Sequence, residues 1–192
     1  MTNIQARFKL LSGMAASRLG MADRSTQLMI ESQKQEGARQ LALHNEAGAR
    51  AIEETIMKYE ATVEGYRLLE GFLRSMISSG GGFLQSSSKE IPRQMSSSIV
   101  SICSAAERLN QQVPELVVIR DILVGVFGAQ ALQQDWCHPT VSRMLNGVTT
   151  TMETNEGNRM VSNKRSSLST STSKMEIGVQ SITMAPSLTS SG

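Results

Sequence analysis

The sequence predicts an all-α protein built on a long antiparallel helical hairpin, with shorter helices packed at its open end and a disordered C-terminal tail. Three observations predict it. Aromatic residues make up only 4% of the 192 positions, while methionine occurs 12 times. A core of Leu, Ile, Val, Met and Ala with few rings suits helix-on-helix packing better than a sheet. Four prolines leave long stretches without a breaker. Two long rows of apolar residues, each on a seven-residue beat, follow one another with only a few residues between them.

The first row lies between Ile4 and Leu43. Ile4, Phe8, Leu11 and Ala15 open it, and Ala22 and Met29 continue it, which is the narrow seam of one helix lying along another. A helix of this length would reach ~57 Å and needs a partner, because isolated helices are marginal in water. The partner follows at once. His44-Asn45-Glu46 reads as a turn with Asn45 as N-cap. Ile52, Ile56, Tyr59, Val63 and Tyr66 then form the second row, and the beat slips to Leu69, Leu73 and Met76, rotating the buried face. The pair reads as a hairpin over residues 4–78.

Residues 78–90 are rich in Gly and Ser and read as a flexible connector. Pro92 suits the first turn of the next helix, whose buried positions are Met95, Ile99, Ile102 or Cys103, and Ala106, ending near Leu109. After the turn at Asn110-Gln111-Gln112, Pro114 opens a further helix. Leu116, Ile119, Leu123 and Phe127 or Val126 form its buried face, Val118 and Ile122 widen it, and Gly128 stops it. Short helices are expected over Ala129–Trp136, with Trp136 docked, and over Thr140–Asn146. Residues 1–147 form the helical core. Residues 148–192, dominated by Ser, Thr, Asn and Gly, form the disordered tail.

The composition excludes several classes of function. A net charge of +2 is too small to imply nucleic-acid binding, and stacking aromatics are missing. The longest apolar run, Leu116-Val117-Val118-Ile119, falls far short of the roughly 18 residues of a membrane span. Two cysteines, Cys103 and Cys137, make no disulfide framework, so a cytoplasmic setting is the default. The adjacent Cys137-His138 has no second pair to complete a zinc site. With no Walker loop and no G-x-S-x-G turn, no enzymatic chemistry and no cofactor are expected.

What remains is charge on the hairpin. Residues 1–24 carry Arg7, Lys9, Arg18 and Arg24 against Asp23 alone. Arg7 and Arg18 share one stripe, Lys9 lies on a different face, and the set is expected to meet acidic lipid or a partner. Glu53, Glu60 and Glu64 form a stripe beside the second seam. In the tail, Asn163-Lys164-Arg165-Ser166-Ser167 places serines after basic residues, so Ser166 and Ser167 are candidate phosphorylation sites.

Three segments, in order, resemble the increased-sodium-tolerance-1 family, a group related to ESCRT-III. They are Gly48-Ala49-Arg50-Ala51-Ile52-Glu53 with Ile56; Ser101 through Leu109; and Pro114-Glu115-Leu116 through Arg120-Asp121-Ile122-Leu123 to Phe127-Gly128. The resemblance covers residues 4–134. It implies an ESCRT-III-like core and binding to ESCRT-III subunits such as charged multivesicular body protein type 1. It also implies modulation of the AAA ATPase that disassembles their polymers, in endosomal sorting, membrane scission or cytokinesis, on the cytoplasmic side of endosomal membranes. Arg50 joins the partner-facing residues on this ground. Glu107 stands where the family has proline, so that helix is expected to run further. The tail lacks a convincing MIT-interacting motif, Met184-Ala185-Pro186-Ser187-Leu188 being a poor match, and no clear counterpart of the family's last core helix is apparent. The rival from another class is a helical adaptor or coiled-coil scaffold without an ESCRT role.

Overall fold

The computed structural model describes residues 3–85 and 90–147. All belong to one unit, Met1–Glu153. The proposed tail, with Ser166, Ser167 and Met184–Leu188, lies outside the described residues.

Helix α1 spans Asn3–Ala42 and α2 spans Glu46–Ser78. They pack antiparallel along their lengths. The reversal is tight: His44 takes a left-handed backbone with φ 56°. Asn45 then caps α2, its side chain accepting from the Gly48 amide at 3.1 Å. The same side chain donates to Gln40 Oε1 at 2.8 Å, tying the turn back to α1.

The seam agrees with the sequence in α2, where Val63, Tyr66, Leu69, Leu73 and Met76 are all buried and Ile52 and Ile56 are half-buried. In α1 it agrees at Phe8 and Ala15 and departs at both ends. Ile4 and Met29 are exposed, and Gln5 and Ile30 are buried instead. A straight helix drifts ~20° per heptad against a strict seven-residue repeat. Over three heptads from Phe8 that drift favours Ile30 over Met29. At the other end Gln5 Nε2 donates to the Gly81 carbonyl at 3.1 Å, which turns position 5 inward.

The segment read as a flexible connector is partly built into the core. Gly82–Gln85 is a 3-10 turn. It places Phe83 between Phe8, edge-on at 5.7 Å, and Phe127, stacked at 6.4 Å. Helix α3 spans Ser96–Arg108 and α4 spans Glu115–Phe127. Pro92 accepts a turn bond from Met95 rather than opening α3. Glu107 does not prolong α3, which ends at Arg108 because Leu109 dips into the core.

Helix α4 buries Leu116, Ile119, Leu123 and Phe127 against α1 and α3, leaving Val118 and Ile122 half-buried. Gly128, with φ 69°, stops it. Two 3-10 turns, Gly128–Leu132 and Gln134–Trp136, follow, and Trp136 is exposed rather than docked.

Residues 139–147 form a last helix, α5. His138 sits at its start: its Nδ1 accepts from the Thr140 amide at 3.2 Å, and its carbonyl accepts from Ser142 N. Val141, Met144 and Leu145 are buried in the common core. Met144 presses on Gly65 of α2, where a Cβ would stand 2.7 Å from Met144 Cβ. The short helix expected over Thr140–Asn146 therefore forms and folds back on the hairpin at Gly65.

Cys103 lies fully inside this core, and burial pushes its thiol up to about 12. Cys137 is half-buried beside α5. Maleimide labelling of the native protein at pH 8 is expected to modify Cys137 and spare Cys103, with both labelled after unfolding. Mass mapping of the adduct checks this; equal modification of both in the native state would place Cys103 outside the core.

Candidate partner-binding surface

The hairpin is covered unevenly. Buried residues of α1 run from Gln5 to Ile30, and those of α2 from Thr62 to Met76. The helices α3, α4 and α5 supply the rest of the core at that end. The far end, from about residue 31 to 61, has no buried residue and no third layer among the described residues.

One surface groove lies on this bare part and a second straddles its border with the covered end. One, about 600 Å³, lies near the turn, lined by Lys34, Leu41, Glu46, Arg50, Glu53 and Ile56 among others. The second, about 510 Å³, is bordered by Arg24, Lys34, Glu60 and Arg67. Each has an apolar floor and a rim of both charge signs. Such a surface suits an amphipathic helical segment, whose apolar face enters the groove while its flanks find opposite charges.

The sequence-predicted residues separate into three groups. Arg50 and Glu53 come together at the first groove, and Arg24 and Glu60 at the second. Glu64 is exposed on α2. Arg7 and Lys9 are exposed on α1 and make no ion pair among the described residues. Arg18 differs: its Nε donates to Glu115 Oε1 of α4 at 2.7 Å, and the Glu115 side chain is only 7% exposed. Much of the Arg18 charge is thus spent holding α4 on α1 rather than facing outward beside Arg7. Arg24 borders a further groove of about 240 Å³ with Glu70 and Arg74, which pair with each other at 2.6 Å.

Sequence reasoning missed Glu115, the Asp23–Arg67 ion pair at 3.2 Å between α1 and α2, and the Tyr66 hydroxyl donating to Gln112 Oε1 at 2.7 Å. Burial pushes the Tyr66 phenol up, against the lowering effect of that bond. These pairs join residues 44 to 97 positions apart, and helical spacing carries no sign of them. Among the described residues no group of three or more His, Cys, Asp or Glu could hold a metal. No helix there is long and apolar enough to cross a membrane.

Comparison with known proteins gives two results. A family profile described as "Ist1: Regulator of Vps4 activity in the MVB pathway" matches residues 9–167. The fold is similar to the Ist1 N-terminal domain of S. cerevisiae, solved in complex with the Did2 MIM motif. The TM-score is 0.67 at 15% identity, over 76% of this chain and 82% of that one. No curated protein sequence matches significantly.

Proposed function

Because the chain belongs to the Ist1 family of regulators of Vps4 activity in the MVB pathway, we propose that it works without catalysing a reaction, by binding ESCRT-III subunits and so modulating the ATPase that disassembles them. The subunits include one of the charged multivesicular body protein type 1 class, and the setting is the cytoplasmic face of endosomes. The observation that carries this reading is the bare far end of the hairpin, where a groove of mixed charge lies open, with a second at its border, on an anchored helix pair. The relative of similar fold was solved with a partner's MIM motif, which makes a helical segment of an ESCRT-III subunit the ligand class to test first. The core at residues 1–147 carries the binding, and the tail, with Ser166 and Ser167, is the candidate regulated part.

The test uses the full chain, purified ESCRT-III subunits and the ATPase. Capture of at least one subunit is expected. Reversing Arg50→Glu together with Glu53→Arg should weaken it about tenfold, as rim and groove charges lose their partners. ATP turnover on ESCRT-III polymers should shift when the chain is added. Absence of binding to every subunit, with turnover unchanged, would leave a helical adaptor without an ESCRT role as the better account.

A further inference from the structure

The last helix begins on a cap that can gain charge. In α5 the first residue, Pro139, has no N–H, so the Thr140 amide is the first donor without an acceptor in its own helix. His138 supplies one: its Nδ1 accepts from Thr140 N at 3.2 Å. Serine, threonine or asparagine fills such a place without titrating. Histidine is the side chain that changes charge between about pH 5 and 8.

His138 also ties α5 to its surroundings. Its amide donates to the buried Ser101 Oγ of α3 at 2.9 Å. Its carbonyl accepts from Ser142 N at 2.9 Å, which closes the first turn of α5. Its ring meets Phe72 of α2 at 6.1 Å. Beyond the cap, Val141, Met144 and Leu145 enter the core and Met144 presses on Gly65.

We propose that His138 is a pH-sensitive catch for α5. Neutral, it satisfies the Thr140 amide and the helix stays seated on the hairpin. Protonated, Nδ1 carries a hydrogen that points at another hydrogen, and the bond is lost. Turning the ring over puts a carbon in the same place, so rotation brings no second acceptor. The new positive charge also stands at a helix N-terminus, which disfavours it. Released α5 therefore binds one proton more than seated α5, and seating strengthens as pH rises. It is present above about pH 7 and weakens on acidification. Release bares the seat around Gly65 on α2.

The groups around the catch leave it this role. On α2, Glu70 and Arg74 pair with each other at 2.6 Å, about 160° round the helix from Phe72. Arg67 is turned to Asp23 of α1 at 3.2 Å, and Glu64 stands two turns from Phe72. On α3, Cys103 is buried in the core, and Arg108 shares the Ser101 side two turns on. On the segment itself Asp135 and Arg143 are exposed, and Cys137 Sγ donates to the His138 carbonyl at 3.8 Å. Among the described residues none of these offers the Thr140 amide another acceptor. The inference does not rest on the ESCRT-III reading, which uses the far end of the hairpin.

The experiment is limited trypsin digestion of the full chain at about pH 7.5 and pH 5.5. Cleavage after Arg143 requires α5 to leave its seat and unfold. Each rate is divided by that of a free peptide of residues 137–147 at the same pH, which cancels the pH response of trypsin. The normalised rate is expected to rise about tenfold on acidification, from the lost cap and the added charge. His138→Asn keeps an acceptor that does not titrate and should stay low and flat. His138→Ala should be fast at both pH values. Nitrogen NMR of the wild-type imidazole at pH 7.5 should show the proton on Nε2, a readout that needs no variant.

Four results would overturn the proposal. The wild-type rate stays flat. The rise survives in His138→Asn, or disappears in His44→Asn, the other histidine of the chain. Cleavage after Arg108 and Arg120 rises in step with that after Arg143, so the whole core loosens rather than α5 alone. Or the spectrum places the neutral proton on Nδ1, where it cannot accept from Thr140.

Discussion

Replacing Gly65 by leucine is expected to destabilise the protein by about 3 kcal/mol, the upper end for forcing volume into a packed core. Gly65 sits in the middle of α2, where glycine is otherwise unfavourable by about 1 kcal/mol against alanine. On propensity alone the substitution should help. Packing decides the other way. A Cβ at this position would stand 2.7 Å from Met144 Cβ and 2.9 Å from its Cγ. The Cβ is fixed to the backbone of α5, so the whole helix must move rather than one side chain. Val141 and Leu145 would then leave their sites as well. Gly65→Ala should show a smaller loss, and Met144→Ala should recover only part of it, since it removes the Sδ and Cγ obstacles and leaves the Cβ in place. Urea denaturation of the wild type, the two alanine variants and their double variant measures this cycle, with Gly65→Leu measured beside them. A Gly65→Leu variant as stable as the wild type would mean that α5 does not rest on α2 in solution.

The second large effect concerns the clamp between α1 and α4. Arg18→Ala should destabilise by about 2 kcal/mol. Glu115 Oε1 has Arg18 as its partner at 2.7 Å, and Oε2 is buried with none. Losing the guanidinium leaves a carboxylate 7% exposed without its cation. The first turn of α4 offsets part of this, since the helix N-terminus favours negative charge. Arg18 itself is 46% exposed, so screening by water holds the figure below that of a fully buried pair. The reverse change should be milder: with Glu115→Gln, the half-exposed arginine rehydrates. Converting both to leucine should come close to neutral, because well-packed apolar groups replace an ion pair whose desolvation is costly. Chemical denaturation of the single and double variants tests the ordering. If Glu115→Gln is as damaging as Arg18→Ala, the orphaned carboxylate is not the cause.

The order in which the fold became legible follows the range of the forces. The α1–α2 seam and the buried face of α4 are written in local spacing, because each row of aliphatic residues repeats at the helical period. The Asn45 cap is equally local, as is the stop at Gly128. Met29 falls outside the seam because a strict seven-residue count ignores the drift of a straight helix, and Ile4 because Gln5 turns inward to the Gly81 carbonyl. Phe83 reads as part of a loose connector because glycines and serines surround it, yet its ring packs between Phe8 and Phe127. The packing of α5 depends on the missing side chain of Gly65, an absence that acts only once α5 arrives.

The candidate surface divided in the same way. Arg7, Lys9, Arg24, Arg50, Glu53, Glu60 and Glu64 are exposed, as their positions beside the seams imply. The pairing of Arg18 needed α4 to be placed on α1 first.

The uneven covering of the hairpin separates two kinds of mutational tolerance. At the anchored end, substitutions are judged by volume, and nearly every change propagates through neighbours in contact. At the turn, no third layer constrains side-chain size, and sequence drift there is limited mainly by helical propensity and solubility. If the tip binds partners as proposed, partner preference can diverge between related chains by rewriting it, while the scaffold that holds it stays the same.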